Sequence, residues 1–235
     1  GIGFITFITL LKIPAPYGKF SKTNCGPMIP SKLGWIVMEI ISPLALLYFF
    51  LNGNIEKTPS NITFISLWTL HYFNRSVIYP LRQNNPAQMP LIIAVLAFLF
   101  NVMNGYINGT YFGSIQEYSA EYMSNWNFIV GVCLFIIGAY INIKSDNILL
   151  SLRSKSGEYK IPEGFMFRYV SFPNYFGEIL EWMAFAIMTW SLAGLSFMIW
   201  TMANLVPRAI KGHQWYHSKF ESYPKNRKAI FPFII

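Results

Sequence analysis

Charge is scarce in this chain. Only 12% of its 235 residues are Asp, Glu, Lys or Arg, about half the share of a typical soluble domain. Cysteine is scarcer still. Cys25 and Cys133 form no C-x-x-C pair, and Cys133 falls inside an apolar run, so neither a disulfide nor a metal site is expected. Several enzyme signatures are absent as well. Without G-x-G-x-x-G or G-x-x-x-x-G-K-[ST], a nucleotide would not sit in a Rossmann or P-loop site. Without H-E-x-x-H or G-x-S-x-G, zinc proteolysis and the usual serine hydrolase pattern have no support. No repeat, low-complexity tract or long linker divides the chain, so residues 1–235 read as one domain.

Apolar residues are abundant instead, at 54%, with 18% aromatic and a mean hydropathy of +0.38. They gather in runs of about 20 residues, the length that crosses a bilayer. The expected spans are Leu33–Leu51, Ile62–Leu81, Leu91–Asn108, Trp126–Ile143, Asn174–Ser191 and Gly194–Tyr216. The last two share one long apolar stretch with basic residues at both flanks, which requires a hairpin turning at Ser191–Gly194. The first run, Ile2–Ile13, covers only about 18 Å as a helix and reads as a trimmed or processed first helix. Lys144–Lys155 reads as a continuation of the fifth span, and Gly157, Pro162 and Gly164 mark the loop after it.

The placement of the basic residues gives the orientation. Connections one, three and five and the tail, with the span ends that adjoin them, hold seventeen of the eighteen Lys and Arg; Lys57 alone lies in an even-numbered connection. Basic residues stay on the cytoplasmic side. The fold expected is therefore an all-α integral membrane protein of seven transmembrane helices, N-terminus outside and C-terminus cytoplasmic. The same sidedness accounts for the net charge of +8 without nucleic acid, since no basic stripe stands apart from the span ends.

Polar residues inside the spans form stripes. Asn142, Asp146 and Arg153 share one helix face, as do Asn174, Glu178 and Glu181, and Asn101, Asn104 and Asn108. Tyr72 and Arg75 lie one turn apart, and Glu39 stands alone in its span. Such groups either bond helix to helix or face a polar ligand or ion path. Four carboxylates with Arg, Tyr and His near the cytoplasmic ends suggest a large polar ligand or an ion path, and the hydroxyl, amide and cation inventory there favours a ligand rich in phosphate and amide groups. Arg75, Arg153, Arg208 and His213 are candidates to pair phosphates. Asn142, Asp146, Asn174 and Glu178 suit a carboxamide and ribose hydroxyls.

Four strings carry a resemblance: HYFNR at 71–75, INIKSDNILLSLR at 141–153, YKIPEGFMFRYVSFPNYFGEILEW at 159–182 and ESYPKNRKAIFPFII at 221–235. Together they resemble the steroid 5α-reductase family, over nearly the whole chain and most densely after residue 131. The resemblance implies a seven-helix membrane enzyme that reduces the 4,5 double bond of a 3-oxo-Δ4-steroid with NADPH, most of the cofactor site lying in 126–235. It implies that Glu39 and Tyr72 contact the 3-keto oxygen. It implies cofactor contacts at Asn142, Asp146, Arg153, Tyr159, Asn174, Glu178 and Tyr216, joined by Tyr17 and Arg75. Partners would be a steroid and membrane lipid, with the protein a monomer in a bacterial inner membrane or the endoplasmic reticulum and its cofactor site open to the cytoplasm.

Two departures from the family's pattern stand out. Met38 occupies the place of a Gln before the Glu, and RAIKGHQWY keeps only His213 of a histidine run. An apolar span disfavours a charged carboxyl, so Glu39 is expected to donate a hydrogen bond as the neutral acid. Other readings fit parts of the pattern. A reductase of another lipid alkene, such as a polyprenol or an enoyl thioester, would suit the same apolar cavity. An S-adenosylmethionine-dependent membrane methyltransferase shares the N-Y-x-G-E element, but the Glu–Tyr pair argues against it. A transporter with a carboxylate relay would be expected to show an internal repeat.

Overall fold

The computed structural model describes residues 1–13, 18–20, 26–83, 87–152 and 159–235. Tyr17, Arg153 and Cys25 lie outside them. Among the described residues, seven helices exceed ten residues: α1 Ile2–Lys12, α2 Ser31–Leu51, α3 Pro59–Phe73, α4 Leu91–Thr110, α5 Trp126–Leu152, α6 Pro173–Thr189 and α7 Leu192–Lys219. Two of them run on through π-helical turns, α3 through Asn74–Ile78 to Tyr79–Leu81 and α4 through Tyr111–Ile115. The only paired strands among the described residues are β1 Met28–Pro30 and β2 Gln88–Pro90, antiparallel, with Ile29 opposite Met89. Each leads directly into a helix, so the pair ties the starts of α2 and α4 together.

Among the described residues, three helical runs are long and apolar enough to cross a membrane: Ser31–Leu51, Leu91–Ile115 and Trp126–Leu152. The protein is a multi-pass membrane protein. Its polarity is inverted relative to a soluble bundle. On α2 the exposed positions are Leu33, Val37, Leu44, Tyr48 and Leu51, and Ser42 is wholly buried. Apolar side chains face lipid, and polar ones turn inward.

Helix ends follow local chemistry. Thr58 caps α3 by accepting from the Asn61 N–H at 3.4 Å, with Pro59 in the first turn. The hairpin expected at Ser191–Gly194 turns slightly earlier. Trp190 ends α6 in the left-handed region, at φ 47°. Ser191 then caps α7 by accepting from the Gly194 N–H at 2.9 Å, so Gly194 is already in the first turn of α7. The cap decides the boundary, and hydropathy alone does not resolve it.

Contacts divide the chain into two compact units, Pro16–Ile129 and Gly1–Ala15 with Val130–Ile235. In Pro16–Ile129, α4 lies against α2 along a glycine stripe. A Cβ on Gly105 would come within 2.6 Å of Ala45 Cβ, and one on Gly109 within 2.6 Å of the Leu46 carbonyl. Only glycine permits that backbone approach. The connection after α4 folds back over α3, where Tyr118 packs edge-on to Phe64 at 5.0 Å. Burial there pushes the Tyr118 hydroxyl well above its ordinary pKa.

In the other unit, α6 and α7 form the hairpin, and α1 packs on α7. The core comprises Phe172, Ile179, Leu205, Val206, Ala209, Tyr216, Tyr223 and Ile230. The chain after α7 returns to pair beside the start of α6, with Ser171 N–H donating to Lys228 O at 2.8 Å and Phe172 N–H to Ala229 O at 3.1 Å. Glycines again set the helix spacing. A Cβ on Gly177 of α6 would meet Asn142 N of α5 at 2.5 Å and Gly138 O at 2.7 Å. Gly177→Val is expected to push α6 away from α5, costing about 1–3 kcal/mol or more. The check is the thermal midpoint and monodispersity of the purified variant in detergent; an unchanged midpoint would contradict the close approach.

Candidate active site

Gly138 and Gly177 bring α5 and α6 together where the predicted polar stripes lie, and the two stripes meet. Asn142 Nδ2 donates to the Asn174 backbone carbonyl at 2.9 Å, and Asn174 Nδ2 donates to Asp146 Oδ1 at 3.0 Å. All three residues are more than nine-tenths buried. Asn174 Oδ1 is buried and has no hydrogen-bond partner within the protein. The amide orientation is forced, because a carboxylate oxygen accepts and only the NH2 end donates. One acceptor therefore remains beside a buried carboxylate. Glu178, one turn on, is half-buried, and Glu181 is almost wholly buried.

The remaining sequence candidates of this unit lie on α7 and the segment before α6. The Arg208 guanidinium donates to Tyr175 Oη at 3.2 Å and lies over that ring at 5.3 Å. This places its charge one residue from Asn174. Tyr216 is buried and stacks on Tyr223, with centroids 5.1 Å apart. Tyr159 is exposed and meets the Trp215 ring edge-on at 5.1 Å.

His213 belongs to a network that sequence reasoning missed. Its Nδ1 lies 2.6 Å from Ser171 Oγ. Tyr223 Oη donates to Ser171 Oγ at 2.7 Å, and Arg227 Nη1 donates to Tyr223 Oη and to the Pro162 carbonyl, each at 3.2 Å. Arg227 is 5% exposed, so a cation counted with the basic tail is in fact interior. Its signal in the sequence was slight: an Arg four residues after a Tyr. Nothing local links either residue to Ser171, more than fifty positions earlier.

Glu39, Tyr72 and Arg75 lie in the Pro16–Ile129 unit. Glu39 is half-buried on α2. Tyr72 is 4% exposed and stacks on Trp68 at 5.7 Å, while Trp68 Nε1 donates to Ser42 Oγ at 3.2 Å. The Arg75 guanidinium is buried over Trp35 at 5.5 Å and Tyr79 at 5.0 Å. Trp35 is one turn before Glu39, so Arg75 is held close to the same stretch of α2. Asn101 also bridges to this region, donating from Nδ2 to Met38 O at 2.6 Å and accepting from Tyr72 Oη at 3.5 Å. The structure thus forms one polar set on α5 and α6 and a second on α2, α3 and α4, each within its own unit. Among the described residues, no group of His, Cys, Asp and Glu could hold a metal ion.

Comparison with known proteins gives these sets a family. Residues 87–235 match the family model described as 3-oxo-5-alpha-steroid 4-dehydrogenase. The chain is 43% identical to "Steroid 5-alpha-reductase DET2" of Solanum lycopersicum, over 99% of this chain and 93% of that protein. It is 37% identical to "3-oxo-5-alpha-steroid 4-dehydrogenase 1" of Rattus norvegicus, over 100% and 92%. To the protein of that name from Homo sapiens it is 35% identical, over 99% and 91%. With its membrane-crossing helices and its buried polar sets, the chain belongs to the steroid 5α-reductase family and is an oxidoreductase acting on a carbon–carbon double bond.

Proposed function

We propose that this chain reduces the 4,5 double bond of 3-oxo-Δ4-steroids with NADPH, the whole of residues 1–235 working as one reductase domain. The observation that carries the reading is the buried set Asn142–Asp146–Asn174 with its one unpartnered acceptor, Asn174 Oδ1, in a chain of this family. A buried polar atom without a partner costs about 1–3 kcal/mol. A ligand N–H or O–H donating to it offsets that cost. A nicotinamide cofactor offers a carboxamide and ribose hydroxyls, so the donor and acceptor set fits it. Asn142, Asp146, Asn174, Glu178, Tyr159 and Tyr216 would hold those groups, and Arg75, Arg153, Arg208, His213 and Tyr17 would take the phosphates and their surroundings. When bound, NADPH supplies the hydride.

The residues of this chain then have two tasks. Glu39, as the neutral acid, and the Tyr72 hydroxyl donate to the 3-keto oxygen. Negative charge that develops on that oxygen meets donors already in place, which is the cheapest way to stabilise it. The apolar side chains of these helices suit the steroid's hydrocarbon body and disfavour water beside it. Addition at the β-carbon is completed by a proton at the α-carbon.

The seven helices are proposed as seven spans, with the N-terminus outside, the C-terminus cytoplasmic and the cofactor site open to the cytoplasm. The membrane is a bacterial inner membrane or the endoplasmic reticulum, and the enzyme acts as a monomer on a steroid drawn from lipid. Single cysteines placed at Ser154 and Ser119 should label from opposite sides of sealed vesicles. Same-side labelling would exclude a crossing by α5, the helix between residues 119 and 154.

The activity is tested with purified protein in detergent, following NADPH oxidation with and without a 3-oxo-Δ4-steroid and identifying the product. Steroid-dependent oxidation yielding the 5α-reduced steroid supports the reading. Oxidation only with a polyprenol or an enoyl thioester would move the substrate class. Turnover of S-adenosylmethionine in place of NADPH would overturn it.

A further inference from the structure

The asparagine stripe on α4 suits either helix-to-helix bonds or a polar ligand; Asn108 instead bonds within its own helix, its Nδ2 donating to Asn104 Oδ1 at 3.0 Å. Asn101 differs. It lies one turn before Gly105, Gly109 and Gly113, on the same i, i+4 stripe that presses α4 onto α2. The glycines set how close the two backbones come, and that spacing delivers the Asn101 amide to α2 at Met38, the residue before Glu39.

Both ends of the amide are used. Nδ2 donates to Met38 O at 2.6 Å, and Oδ1 accepts from Tyr72 Oη at 3.5 Å. Asn101 is 5% exposed. A backbone carbonyl can only accept, so Nδ2 must face Met38 and Oδ1 must face Tyr72. The amide cannot flip without breaking the short bond. At 3.5 Å the second bond is far longer than an optimal O–H···O contact of about 2.7–2.8 Å. It directs the Tyr72 hydroxyl without holding its proton strongly, and a more basic oxygen would draw that proton away.

We infer that Asn101 is a positioning residue for the Glu39–Tyr72 pair: with its amide held at Met38, beside Glu39, it aims the Tyr72 hydroxyl, so that Tyr72 donates to the same substrate oxygen as Glu39. The inference rests on the proposed role of that pair. It adds a third residue, from a third helix, whose effect passes through Tyr72.

A double-mutant cycle tests it. Asn101→Ala is expected to lower turnover of a 3-oxo-Δ4-steroid about tenfold in the native background, with NADPH affinity retained, and less than about twofold in a Tyr72→Phe background, because coupled residues are not additive. Product is followed over long incubations, so that residual turnover of the Phe variant is measurable. If Asn101→Ala costs the same factor in both backgrounds, Asn101 acts through packing alone and the inference fails while the role of the pair stands. If Tyr72→Phe by itself keeps native turnover, the pair's role fails first, and the inference with it. Asn101→Ser, whose hydroxyl is too short to bridge both partners, replaces the alanine variant in the cycle if the latter is recovered unfolded.

Discussion

Glu39→Leu and Tyr72→Phe should each lower steroid turnover by ~10²–10³, the usual cost of losing one donor to a developing oxyanion. Glu39→Gln should fall between the native enzyme and Glu39→Leu, because an amide keeps a donor of similar shape but is a weaker acid. NADPH affinity should survive in all three variants. Steady-state turnover with product identification, alongside cofactor titration, reads both quantities. Tyr72 offers the cleanest comparison. Its ring is fixed by stacking on Trp68, which is itself pinned to Ser42, so removing the hydroxyl should not move the ring. Near-native turnover in both Glu39→Leu and Tyr72→Phe would discard the pair as the oxyanion site.

Asp146→Ala and Asn174→Ala are expected to weaken NADPH binding by about ten- to a hundredfold, in line with a charge-assisted hydrogen bond of about 1.5–3 kcal/mol. The two should not be additive, since Asn174 Nδ2 and Asp146 Oδ1 are partners at 3.0 Å. Removing Asp146 also frees the Asn174 amide to turn, so its orphan oxygen no longer faces a ligand. Asn142→Ala provides the contrast. Its Nδ2 is spent on the Asn174 backbone carbonyl, so its loss should lower the thermal midpoint as well as the affinity. Fluorescence titration of cofactor, with a melting curve for each variant, separates the cases. Unchanged affinity for both Asp146→Ala and Asn174→Ala would return these residues to helix packing.

The two polar sets differ in how readable they were. On α5 and α6 the spacing Asn142, Asp146 and Asn174, Glu178 already placed the residues on single faces, because the helical period fixes which side chains share a side. What spacing could not give was that Asn174 turns its NH2 end to Asp146 and leaves its oxygen unpaired. That follows from how closely α6 approaches α5, set by Gly138 and Gly177, thirty-nine positions apart. Asn101 shows the same division more sharply. Its place on an asparagine stripe was visible, but its two partners come from α2 and α3, and no periodicity on α4 names them. Arg227 belongs to the basic tail in sequence, but its burial depends on partners as distant as Pro162 and Tyr223 and is not written in that stretch.

The all-α character, the presence of membrane-crossing helices and the family could be read from sequence alone, because each rests on local composition, period or contiguous motif. Helix ends were close but not sharp: one long apolar stretch runs through both α6 and α7, and the left-handed Trp190 and the Ser191 cap choose the turn. Only the tertiary structure decided which amide faces which partner, how near α4 comes to α2, and that His213 is tied to Ser171 instead of standing free. Those are properties of the gaps between elements. Hydrogen bonds are satisfied across them at distances of about 3 Å, a scale that helical period and charge counts along one chain do not resolve.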